Sequence, residues 1–150
     1  MLSTKLVQLI ETHWDRIAQR LIVAVRNHPD MQELAKRPPL ELREWCRDIL
    51  ENLGDLLTAK DREDQDQRYR VLGKTRFEEN IPLHEAVLRF HMLKELVIEF
   101  IHEQGFPVNA MQLYAEEELE LRLGRFIDAG VYQLVRGYEK ALRRAARLAS

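Results

Sequence analysis

Histidines are the residues in this sequence whose spacing first suggests chemistry. His84 and His91 are seven residues apart and therefore share one face of a helix, while Glu99 and His102 form a Glu-x-x-His pattern. Di-iron helical bundles use that pattern, but they need a second copy of it and further inward-facing carboxylates. The sequence contains no second copy. We therefore assign no metal ligands from the sequence.

Groups for nucleophilic catalysis are equally sparse. The only serines are Ser3 and Ser150, and the single cysteine, Cys46, has the apolar neighbours typical of a buried, inert thiol. The six glycines are isolated, so the sequence has no glycine-rich phosphate loop. His91 and Glu95 have the spacing of an acid–base pair, yet they have neither a nucleophile nor a cofactor motif beside them. We predict that the protein is not an enzyme.

The composition excludes several classes of partner. With 45% apolar and 32% charged residues, the 150-residue chain is globular and long enough for one substantial core. Its net charge of -2 gives no electrostatic reason to bind nucleic acid or an anionic membrane. The longest apolar run, residues 21–25, is far too short for a membrane span, and no signal peptide is apparent. With its lone cysteine, the protein is predicted to be cytoplasmic.

Helical periodicity runs through nearly the whole sequence. Apolar residues recur at steps of three and four in five segments, at about 3–27, 39–57, 66–79, 82–105 and 110–148. Prolines and glycines separate these segments, and no stretch alternates polar and apolar residues as a strand would. We predict an all-α fold in which residues 1–150 form a single helical bundle of about five helices with a long C-terminal helix.

The C-terminal segment shows the spacing of a helix-pairing surface. Apolar residues repeat in the 4,3,4,3 order of a heptad seam at Ile127, Val131, Leu134, Tyr138, Ala141 and Ala145. Gly130 and Gly137 lie one heptad apart beside this seam, where they would either admit a close helix or break a long one. We predict that this helix, about 110–148, is a dimerisation and output element and that the protein is a homodimer.

A stretch in the middle of the chain resembles a known family. It reads Tyr69-x-x-x-Gly73-x-x-Arg76, followed by Ile81-Pro82-Leu83-x-Glu85-x-Val87. With His13, Trp14 and Trp45, this stretch resembles the N-terminal domain of RsbT co-antagonist proteins of the RsbRD type. The resemblance covers essentially all of the chain. It implies an all-helical, non-catalytic input domain of bacterial signalling and stress-response proteins, usually dimeric and placed ahead of an effector domain. This sequence departs from that layout because it stops at Ser150, where an effector would begin, so it is either an N-terminal domain or a stand-alone module.

Two functional hypotheses follow. The leading one is a signal-transduction input domain that dimerises through its last helix and relays a signal to an effector or partner protein, without a cofactor. The alternative is a small-molecule or haem sensor, since an all-helical domain can hold haem on a histidine. Its pocket would be formed by Tyr69, Arg76, His84 and His91. In either case we expect Gly73 to allow a close helix contact and Arg76 to anchor the corner at Asn80.

Overall fold

The computed structural model describes residues 3–58 and 61–149, and within these ranges the chain is helical without a β-strand. The helices are α1 (Thr4–Thr12), α2 (Trp14–Asn27), α3 (Gln32–Ala35), α4 (Pro39–Leu50), α5 (Leu53–Leu57), α6 (Arg62–Glu78), α7 (Leu83–Glu103) and α8 (Ala110–Ala149). The predicted all-α bundle with a long C-terminal helix is confirmed. There are more helices than the predicted five because two expected helices are interrupted and a short helix, α3, lies between them.

Both interruptions coincide with contacts between distant parts of the chain. His13 separates α1 from α2 with backbone angles of φ -105° and ψ 26°, and its ring centroid lies 6.2 Å from that of Phe100 in α7. The second interruption separates α4 from α5 at Glu51-Asn52. Beyond it, the Gly54 N–H donates to a carboxylate oxygen of Glu11 in α1 at 3.1 Å. The breaks therefore let short helices fit against their neighbours.

Helix ends follow the local chemistry of the sequence. The Ser3 hydroxyl accepts an N–H of the first turn of α1 at 3.3 Å, and the Asn109 side chain does the same for α8 at 2.8 Å. Asn80 has a φ of 60°, the left-handed conformation that commonly stops a helix. The chain turns there, and Pro82 immediately precedes α7. Residues 79–82 thus form a sharp corner between α6 and α7.

The helix α7 is the centre of the bundle. It contacts α1, α2, α3, α6 and α8. Its buried apolar residues cover much of its circumference: Ala86, Phe90, Met92, Leu93, Val97, Phe100 and Ile101. Despite this, no described helix combines the length and apolarity needed to cross a membrane.

The helices α6 and α8 form the most extensive helix pair, and two glycines set its spacing. A Cβ at Gly73 would stand 2.0 Å from the carbonyl oxygen of Leu134, and one at Gly137 would stand 1.9 Å from the carbonyl oxygen of Arg70. Only a residue without a Cβ fits so close to another backbone. The expected close contact at Gly73 is confirmed, and Gly137 lies within an unbroken helix as the other half of that contact.

Candidate functional site

Four charged side chains meet beside the corner between α6 and α7. Arg76 is only 5% exposed, and its Nη1 donates to Glu41 at 3.0 Å and to Glu79 at 2.7 Å. Arg37, which precedes α4, pairs with the same two carboxylates. Each carboxylate is therefore shared between two arginines, as suits the forked guanidinium group. We call Arg37, Glu41, Arg76 and Glu79 the corner cluster; it joins α4 to the end of α6.

A fifth charge, Arg89 of α7, lies within electrostatic reach of the corner cluster. It is 1% exposed, and its guanidinium carbon lies 4.0 Å from the ring centre of Trp45, a cation–π distance. Within the described chain its Nε and Nη2 have no hydrogen-bond partner. Burial, reinforced by repulsion from Arg76, lowers the pKa of Arg89 to about 9. The three arginines and two glutamates, of which Arg76 and Arg89 are buried and the others partly exposed, therefore carry an excess positive charge.

Aromatic rings connect this charged region to α8. The Phe90 ring lies between Trp45 and Tyr69, at centroid distances of 5.1 Å and 5.5 Å. Tyr69 in turn contacts Phe126 of α8 at 6.0 Å. All three pairs are edge-to-face, the arrangement that the ring quadrupoles favour. Burial raises the pKa of Tyr69 to about 12, so its hydroxyl stays neutral at physiological pH.

Tyr138 links α8 directly to the corner. Its hydroxyl donates to the backbone carbonyl of Ile81 at 2.9 Å, and its ring lies 5.5 Å from that of Phe77. The Ile81 N–H in turn donates to the carbonyl of Arg76 at 3.0 Å. The corner is therefore connected to the C-terminal helix by a hydrogen bond as well as by packing.

The four residues predicted to line a ligand pocket serve different purposes. Tyr69 and Arg76 are buried and engaged in the contacts above. His84 is exposed, with Nε2 3.2 Å from the carbonyl oxygen of Asp30, and His91 is half-buried on α7. The structure does not bring these four side chains around one cavity, and the ligand-sensor hypothesis stays a prediction.

A separate cleft of about 150 Å³ lies between α5, α6 and α8. It is smaller than the roughly 300–1,000 Å³ of typical small-molecule pockets. None of the four predicted ligand residues lines it; its lining is Leu56, Leu57, Arg62, Gln65, Asp66, Arg122, Arg125, Phe126 and Ala129.

The predicted dimer seam divides into two parts. Ile127 and Leu134 are 0% exposed in the chain's own core, and Val131 and Tyr138 are half-buried. Beyond them the helix becomes accessible, since Ala141 is half-buried and Ala145 exposed. The first part of the seam is occupied within one chain because Gly73 and Gly137 let α6 dock beside it. Heptad spacing predicts that a helix pairs, but it does not say whether the partner belongs to the same chain.

The roles of two buried charged residues were not predicted from the sequence. Glu85 is 2% exposed and accepts the backbone N–H groups of Glu33 and Leu34, both at 2.9 Å, so it caps α3 from a distant helix. Arg89 lies one helical turn further along the same buried face. The position of each charged residue among the apolar residues of α7 was the one sequence signal that could have indicated its burial.

Acid should weaken the corner cluster. Burial alone would raise the pKa of Glu41, but the hydrogen bond from Arg76 and the charge of Arg37 lower it below the ordinary 4.5. A carboxylate with a lowered pKa contributes stability above its unfolded-state pKa and loses it as pH falls through the folded value. We expect the free energy of unfolding to decrease below about pH 4.5 and Glu41→Gln to flatten that decrease.

Urea unfolding at a series of pH values from about 7 to 3 measures this effect. Glu117→Gln serves as the matched control, because Glu117 is exposed on α8 and lies outside the corner cluster. Parallel stability curves for the wild type and Glu41→Gln would contradict the assigned role of Glu41.

Comparison with known families identifies the chain. The profile described as the RsbT co-antagonist protein rsbRD N-terminal domain matches residues 15–150, which include the corner cluster, the aromatic contacts and α8. Comparison with curated proteins and with solved structures finds no match. The profile covers most of the sequence, in agreement with the resemblance of the central stretch. The chain therefore belongs to the RsbRD N-terminal domain family and is a signalling input domain of the RsbT co-antagonist type.

Proposed function

We propose that this domain is a non-catalytic relay that passes a change at the corner cluster through α8 to a partner protein, and that two copies pair through the end of α8. The hydrogen bond from Tyr138 to Ile81 carries the proposal. It joins the corner, where four charged groups meet, to the helix whose last turns lie outside the core.

The accessible end of α8 supports the pairing. Residues 142–149 are all exposed, including Leu142 at 49% and Leu148 at 83%. Ala141, Ala145 and Leu148 continue the 4,3 spacing of the seam past the part covered by α6. A second copy of the same helix, packed in parallel, would cover this stripe in the manner of a short coiled coil. Ile127 and Leu134 take no part in this interface because they are buried.

The relay needs neither a nucleic acid nor a membrane. The net charge of -2 offers no general attraction to either, and the partner is a protein that contacts the end of α8. A cytoplasmic location completes the proposal, because Cys46 is buried and unpaired and a reducing compartment preserves it in that form.

The pairing is tested with substitutions at the exposed end. We expect the wild type to be dimeric by light scattering at about 100 µM and Ala145→Glu to be monomeric, because two such carboxylates would face each other across a parallel seam. Val23→Glu is the control, since Val23 is 48% exposed on α2, outside both α8 and the corner cluster. A monomeric wild type, or a dimer that persists in Ala145→Glu, would refute pairing through this surface.

A further inference from the structure

Three potential metal ligands converge where α7 ends and α8 has begun. His102 lies in the last turn of α7, and Glu116 and Glu120 lie one turn apart on α8. The His102 Nε2 lies 2.7 Å from Glu120 Oε1 and 3.7 Å from Glu116 Oε1, and the three ligand atoms all lie within 4.8 Å of one another. We propose that His102, Glu116 and Glu120 bind a divalent transition-metal ion, with Zn²⁺ as the best fit.

The distances suit such an ion. Ligands about 2.1 Å from a tetrahedral zinc lie about 3.4 Å from one another. Glu120 would have to retreat from His102 by about 0.7 Å and Glu116 to approach by about 0.3 Å, changes that side-chain rotation alone provides. Three protein ligands leave a fourth position for water, as in open zinc sites.

The ligand types select the class of ion. An imidazole nitrogen suits zinc, nickel or copper, whereas Mg²⁺ and Ca²⁺ prefer oxygen ligands alone. One neutral histidine and two carboxylates also balance the charge of a divalent ion. Glu116 and Glu120 are like charges at i, i+4, which repel each other on a helix, and a bound cation offsets that repulsion.

The site is accessible to solvent yet held by two stable helices. The side chain of His102 is 59% exposed, and those of Glu116 and Glu120 are 16% and 28% exposed. An ion there would fasten α7 to α8 across the connection at residues 104–109. This connection is open to solvent, with Phe106 96% exposed, so the ion would restrain a segment that few contacts otherwise hold.

The sequence alone could not assemble this site. The Glu-x-x-His pattern drew attention to Glu99, which is not among the three converging groups. Glu116 and Glu120 come from a different helix, and only the antiparallel turn between α7 and α8 brings them to His102. The proposed site does not depend on α8 pairing or on the relay.

Isothermal titration of the full chain with ZnCl₂, in a non-chelating buffer near neutral pH, tests the proposal. We expect one Zn²⁺ per chain, a higher Tm with Zn²⁺ present, and affinity at least about tenfold weaker in His102→Ala and in Glu120→Gln. Co²⁺ should give the visible absorption of a four-coordinate site, and millimolar Mg²⁺ should not compete.

Two controls separate this site from adventitious binding. His84→Ala removes an exposed histidine of the same helix, and Glu117→Gln removes a carboxylate adjacent to the site; both should bind Zn²⁺ like the wild type. Equal affinity in His102→Ala would overturn the proposal, as would the absence of saturable binding, which would leave a histidine–carboxylate ion pair only. Circular dichroism confirms that each variant is folded.

Discussion

Replacing Gly73 with alanine should lower the free energy of unfolding by about 2–3 kcal/mol, in spite of the higher helix propensity of alanine. The added Cβ would stand 2.0 Å from the carbonyl oxygen of Leu134, and a backbone atom of a helix cannot rotate away as a side chain can. The α6 and α8 helices would have to separate, which would loosen the contacts along their whole length. Gly137→Ala should have a similar effect, since its Cβ would meet the carbonyl of Arg70.

Gly124, which lies on α8 like Gly137, provides the matched control. A Cβ there would meet nothing within 4 Å, so Gly124→Ala should raise stability by up to about 1 kcal/mol through helix propensity alone. Urea unfolding followed by circular dichroism measures all three variants. Equal or higher stability in Gly73→Ala would mean that the two helices are not in backbone contact.

Two buried arginines should respond differently to the same substitution: the free energy of unfolding should fall in one variant and stay equal or rise in the other. Arg76→Met removes the guanidinium that Glu41 and Glu79 share and should cost about 2–3 kcal/mol, below the 3–5 typical of a fully buried pair because both carboxylates are partly exposed. Arg89→Met removes a desolvated charge whose Nε and Nη2 have no hydrogen-bond partner among the described residues. We expect that variant to match or exceed the wild type, by up to about 4 kcal/mol.

Urea unfolding gives the sign of each change, and amide hydrogen exchange reports where the structure loosens. In Arg76→Met, exchange should accelerate at the corner and around Tyr138, whereas Arg89→Met should leave both protected. Equal decreases in the free energy of unfolding of the two variants would show that Arg89 makes stabilising contacts with groups other than Trp45. A gain in Arg89→Met would mark Arg89 as a residue retained at the expense of stability, as residues with a functional role often are.

Local chemistry accounts for the parts of the fold that the sequence predicted. Ser3, Asn80 and Asn109 act at helix ends through their own backbones and side chains, so their positions were readable without a structure. The breaks at His13 and at residues 51–52 were not predicted, and both lie beside a contact with a distant helix. Propensity carries no information about such contacts.

Only part of the candidate site was predicted from the sequence. Gly73 and Arg76 were expected to matter, and the structure places them at the close crossing and in the corner cluster. Arg89 and Glu85 were missed because a charged residue on an apolar helix face is expected to be exposed unless its partners are known. The heptad seam was predicted to pair with a second copy, whereas its residue Leu134 lies in the chain's own core, because apolar spacing does not identify the partner helix.

The backbone crossing at Gly73 and Gly137 also fixes the point on α8 beyond which the helix is free to bend. From Gly137 to the end of the helix at Ala149 is about 18 Å at the rise of an α-helix. A bend of about 10° in the helix just past the crossing would move that tip by about 3 Å and leave the buried part of the helix in place. A small bend at the crossing would therefore be enlarged at the end of the helix, and alanine at either glycine would shift the crossing itself.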